Sequence, residues 1–195
     1  MNEKHPADTI KQLVIDKVVA SLKLELSVTL EAANNARLAA TDEQSKAETQ
    51  YDTLAIEAAY LAEGQTKRVE EIRHAIEQFN ELASKLATSK VQSIQVIALG
   101  SLVEIFHPDS LDKPNSDALA NASRWYFIAP AGAGFTCELP LTNSESTTNE
   151  KHPQTVTVIT PQSPLGNALL GKQLDDEITL NIANNTVNAD VVMIY

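Results

Sequence analysis

The segment TPQSPLGNALLGKQLDDEI, residues 160–178, reads as one short helix set between two strands. Ser163 is an N-cap candidate, because its hydroxyl can accept a hydrogen bond from an N–H of the first turn. Pro164 follows at the first helical position, where its fixed φ suits a helix and its missing N–H costs nothing. Gly171 stands where a C′ residue takes positive φ and stops the helix. On either side, QTVTVIT (154–160) and DEITLNI (176–182) carry the β-branched alternation of strands. This half is therefore a sheet with one short helix.

Working outward, the same grammar holds from Gly100 onward. SLVEIF (101–106), RWYFIAP (124–130) and VNADVVMIY (187–195) read as further strands, and Asn184-Asn185 suits a two-residue turn because Asn tolerates positive φ. Seven of eight prolines and five of six glycines lie from Gly100 on. HPDSLDKPNSDALANAS and TNSESTTNEKHP read as exposed loops. The expectation is a small antiparallel sheet.

Before Gly100 the chain changes character. No proline occurs from Ala7 to His107, and Ala, Leu, Glu, Lys and Gln dominate. Apolar residues recur at three and four: Ile15, Val19, Leu22, Leu26, Leu30, Ala33, Ala36 and Ala40, then Leu54, Ala58, Leu61, Ile72, Ala75, Phe79, Leu82 and Leu86, with Gln65 and Arg68 interrupting. Asp8 or Thr9 can cap the first helix. Two such helices joined by a short loop predict an antiparallel coiled-coil hairpin, although the pattern also fits a dimerising coiled coil or one pair of a bundle. Seam residues near the turn are mostly alanine, which predicts a slender turn end. The fold class is α+β, with residues 1–93 as the hairpin and 94–195 as the sheet domain.

Charge sharpens the functional question. The 195 residues carry a formal charge of −11. A free-standing nucleic-acid binder needs basic residues against phosphate, and docking on an anionic membrane needs them too, so independent DNA binding and membrane attachment are not expected. No apolar run suggests a leader or a membrane span, so a cytoplasmic protein is expected. Cys137 is the one cysteine, and the four histidines show no ligand spacing. Six acids (Asp42, Glu43, Glu48, Asp52, Glu57, Glu63) face one base, Lys46, between Thr41 and Glu63. The bland reading is a solvated face; the sharper one is charge carried to a metal ion or a basic pocket.

ALGSLVEI (98–105), the acidic-tipped hairpin with ETQYDTLAIEAAYLAEGQTKRVEEI (48–72), and above all residues 160–178 resemble the Gre family of bacterial transcript-cleavage and elongation factors. The resemblance implies an FKBP-like C-terminal domain docking on RNA polymerase, and a hairpin entering its secondary channel. It implies no enzyme but a cofactor-like regulator, with contact to nascent RNA only through the polymerase. No cofactor is bound alone; the Mg²⁺ is the polymerase's own, shared in the complex with tip carboxylates, for which Glu48 and Asp42 are the candidate ligands. Glu48, Asp42 and Glu43 are the candidate catalytic carboxylates that help activate an attacking water. A gapless fit puts Glu48 on the family Glu, Ser45 where the family has Asp, and Ile56 where it has Arg. Ser163, Pro164, Gly166 and Lys172 are the candidate polymerase-binding residues on an exposed surface, whereas Leu165, Leu169 and Leu170 read as core. A non-cleaving channel competitor and a plain coiled-coil adaptor are the alternatives. A prolyl isomerase or chaperone rests on fold analogy alone and needs an aromatic pocket from Trp125, Tyr126, Phe127, Phe135 and Phe106.

Overall fold

The computed structural model describes residues 6–41, 53–88, 96–107, 123–140, 153–182 and 185–195. Helix α1 (Pro6–Thr41) and helix α2 (Thr53–Thr88) come first. Strands β1 (Leu102–Phe106), β2 (Ser123–Ile128), β3 (Thr136–Pro140) and β4 (Pro153–Ile159) follow, then helix α3 (Pro164–Leu169), β5 (Glu177–Ile182) and β6 (Asn185–Ile194). Contacts group these into two compact units, Val19–Gln78 and Met1–Val18 with Phe79–Tyr195. No described helix is long and apolar enough to cross a membrane.

In the Val19–Gln78 unit the two helices are antiparallel. Arg68 bonds Glu25, and these lie fifteen residues after the start of α2 and sixteen before the end of α1. Val19, Thr29, Ala36, Val69 and Ile72 are buried. Thr29 takes the seam position where the sequence reading placed Leu30, and Leu30 is 40% exposed. Likewise Val69 is buried and Ala62 half-buried, while Leu61 is 56% exposed. The reason is spacing. The alternating four-three steps run 15, 19, 22, 26, 29, 33, 36 on one helix and 58, 62, 65, 69, 72 on the other, and they outrank side-chain hydrophobicity. Thr29 accommodates its place by donating its hydroxyl to the Glu25 carbonyl at 2.8 Å, four residues back.

The other unit is built round a six-stranded sheet of order β3-β4-β2-β1-β6-β5. Four pairings are antiparallel; β2 and β4 are parallel, because β4 enters the sheet between β2 and β3. The sheet is thus mixed, where the sequence pattern alone suggested antiparallel pairing throughout. Strand β3, TCELP, was not expected. It is short, ends in proline and has only Cys137 and Leu139 to alternate, as suits an edge strand. Ile182 pairs with Asn185, which sets the hairpin connection at 183–184, one residue earlier than the Asn184-Asn185 reading.

Both faces of the sheet are covered. One packs Val103, Ile105, Ile128, Ile159, Ile178, Leu180, Ala189 and Val191 with Leu169 of α3 and Ile97. On the other, Leu102, Trp125, Phe127, Leu139, Val156 and Val158 are buried. Helix ends belong to this unit as well. A side chain at Gly132, in the β2–β3 loop, would meet Val18 at 3.4 Å and Phe79 at 3.7 Å, and one at Gly100 would meet Leu82 at 3.0 Å. Trp125 and Phe127 are core residues. Tyr195 stacks on Trp125 with ring centroids 5.7 Å apart and 12° between planes.

Candidate functional site

Two places carry the expected chemistry, the hairpin and the 160–178 segment. The tip carboxylates Asp42, Glu43 and Glu48, with Ser45, lie outside the described residues. Among the described residues no group of three or more His, Cys, Asp or Glu is placed to hold a metal ion.

What the structure describes of the hairpin is its arms. Gln65 is half-buried within the seam, and Arg68 stands beside it, exposed. The Arg68 guanidinium donates from Nη2 at 2.6 Å and Nε at 3.2 Å to Glu25 Oε1, and from Nη1 at 3.2 Å to Glu71 Oε2. Those hydrogen bonds, Glu25's first and Glu71's second, hold the guanidinium above its ordinary pKa range. Between Ile56 and Lys67 no residue of α2 is buried, and the half-buried ones are Ala58, Ala62 and Gln65. Alanines and Gln65 thus make up the half-buried positions of this stretch, while the turn end itself, for which the sequence predicts slenderness, lies outside the described residues. Glu25 was missed as a partner because a separation of 43 residues leaves no local signal in the chain.

In the 160–178 segment the helix start is built as the sequence implies. Ser163 takes an extended conformation and its hydroxyl accepts from the Gly166 N–H at 3.0 Å while donating to the Thr160 carbonyl at 2.8 Å. Gly166 is buried, contrary to the expectation that it lies on an exposed surface: a Cβ there would sit 2.1 Å from the Thr160 carbonyl oxygen. Its role here is close backbone approach. Gly171 has φ of 82° and donates to Ile97 O at 2.9 Å, tying the helix exit to the start of the domain.

The remaining candidates divide. Pro164 is exposed; Ser163 and Lys172 are half-buried. Lys172 Nζ donates to the Glu177 carbonyl at 3.1 Å. The acidic turn is closed by Asp176, whose carboxylate accepts from Gln173 N at 2.7 Å, and by Asp175 at φ 65°, whose N–H bonds Val191 O at 2.9 Å. Leu169 is fully buried and Leu165 and Leu170 pack partly buried against the same core, as expected. The segment therefore presents Pro164, Asn167 and the edge of the acidic turn on a rigid support. Elsewhere in the domain, burial pushes the Cys137 thiol up, with Lys17 opposing, and burial then the Glu104 charge push the Tyr195 phenol up.

Residues 146–195, which span β4, α3, β5 and β6, match the family described as "Transcription elongation factor, GreA/GreB, C-term". No curated protein matches the chain. Among solved structures, the GreA factor homolog 1 (Gfh1) of Thermus thermophilus is 20% identical with a TM-score of 0.31, over 91% of this chain and 94% of that one. Gfh1 of Thermus aquaticus is also 20% identical with a TM-score of 0.31, over 90% and 92%. An elongation factor GreA/GreB from Nitrosomonas europaea is 16% identical with a TM-score of 0.30, over 60% and 78%. The match covers the C-terminal quarter of a chain in which two antiparallel helices precede a mixed sheet.

Proposed function

We propose that this protein is a regulator of transcription elongation that binds RNA polymerase and inserts its acidic-tipped hairpin into the secondary channel. The observation that carries this reading is the GreA/GreB C-terminal match over residues 146–195. In this reading residues 1–93 are the inserting part and 94–195 the docking part, with Pro164 and Lys172 in the contact and Ser163 and Gly166 shaping it. The protein is an accessory factor and not itself an enzyme, and it works in the cytoplasm beside the polymerase.

The chemistry follows from the charge of residues 41–63. Mg²⁺ is a hard cation that favours carboxylate oxygens and keeps several waters, one of which it can make more acidic. Glu48, with Asp42 or Glu43, supplies oxygens that would orient such a water at the polymerase's own ion, so that backtracked RNA is cut. Ser45, standing where the family carries Asp, favours a second reading in which the protein occupies the channel and competes with cleavage factors without stimulating cleavage.

One assay separates the two. Purified protein is added to backtracked elongation complexes and RNA release is followed. In the first reading Asp42→Ala/Glu43→Ala/Glu48→Ala keeps polymerase binding but lowers release about 100-fold, the scale of losing a group aimed at the reacting atoms. In the second, wild-type protein releases no RNA, slows release by an authentic cleavage factor, and is indifferent to the substitutions. No binding to core polymerase would contradict both.

A further inference from the structure

We propose that Arg68 is a positioning residue, a clasp that keeps the distal arms of the hairpin closed. The proposal rests on the reading that the hairpin works inside a polymerase, but its structural claim stands independently of that reading. Arg68 lies at a boundary in packing. On one side Val69 and Ile72 are almost fully buried; on the other, no residue from Ile56 to Lys67 is. On α1 the buried residues of the corresponding distal stretch, among the described residues, are Thr29 and Ala36. Small side chains remove little apolar surface from water, so packing resists separation of these arms weakly.

Arg68 bonds across the helices at that boundary. Two of its nitrogens share Glu25 Oε1 and a third holds Glu71 on its own helix, one turn on. Glu71 therefore restrains the guanidinium while Glu25 receives it, which reduces the entropy lost in forming the interhelical bond. Both partners are about half exposed, at 51% and 43%. Exposed pairs contribute little to global stability and are screened by salt. Where the packing between two helix arms is sparse among the described residues, a small contribution weighs on their equilibrium. The distal arms already expose Val28, Leu38, Ile56 and Tyr60, so among the described residues opening them uncovers few new apolar side chains.

The test uses the full chain with Cys137→Ser and spin labels at Leu38→Cys and Ile56→Cys, two exposed positions three residues from the helix ends. Pulsed electron resonance reads their separation. The expected result is one narrow distance in the parent and, in Arg68→Ala, a longer component increased about fivefold, the scale of an exposed ion pair. High salt should produce the same component in the parent. Glu25→Arg/Arg68→Glu should restore the narrow distance, and the melting temperature should barely move. In the polymerase assay Arg68→Ala should lower the maximal effect while leaving the half-saturating concentration nearly unchanged. Identical distance distributions for the parent and Arg68→Ala overturn the clasp. Failure of the parent to bind polymerase, with the distance shift intact, overturns the functional reading and leaves the clasp standing.

Discussion

Gly166 shows how much one missing methyl group can matter. A side chain there would run into the Thr160 carbonyl, which is backbone and cannot rotate aside, so Gly166→Ala must displace the start of α3. We expect a loss of about 2 kcal/mol, within the range for overpacking, measurable by urea denaturation. Ser163→Ala removes the cap of the same helix and should cost about 1 kcal/mol in the same measurement. Tyr195 gives a prediction in pH. Burial and then the Glu104 charge favour its neutral phenol, so its folded pKa lies above the unfolded value near 10. Stability from this source is fully present below about pH 10 and is lost as pH rises through the folded pKa. Unfolding free energies at pH 9 and pH 11 should therefore fall more steeply for wild type than for Tyr195→Phe. Equal slopes would mean that the phenol titrates normally.

At the scale of elements, α3 was legible almost residue by residue, because Ser163, Pro164 and Gly171 are local signals whose physics needs no partner. Leu169 of that helix is fully buried against the sheet, and Leu169→Ala should cost about 2–5 kcal/mol by equilibrium unfolding. The hairpin helices were legible as helices, but the seam only in part. Choosing Leu30 and Leu61 for their hydrophobicity hid Thr29 and Ala62, which the heptad places between the helices. Strand β3 was not legible at all. Its pairing to β4 supplies the order that TCELP lacks by itself, and the parallel partnership of β2 and β4 follows from that insertion. The bond from Arg68 to Glu25 belongs to the same class, since it exists only once two distant helices are side by side.

For the whole molecule, the fold class and the order of its parts could be read from composition, because proline and glycine are withheld from one half and concentrated in the other. Of the candidate site, the capped start of α3 and the acidic turn after it were legible as local signals, while Asp42, Glu43 and Glu48 lie outside the described residues. Under the proposed function Asp42, Glu43 and Glu48 compete for one role, and the local sequence carries no signal that separates them. The proposed function requires that a polymerase receive this protein with the carboxylates of residues 42–48 directed into it. Site-specific crosslinking tests it most directly, with a photoreactive group at position 45 of the full-length protein and core RNA polymerase as the target. The account predicts crosslinks to the polymerase's active-site region that disappear when an authentic channel-binding factor is in excess. Binding without such crosslinks, or crosslinks confined to the polymerase's outer surface, would contradict it.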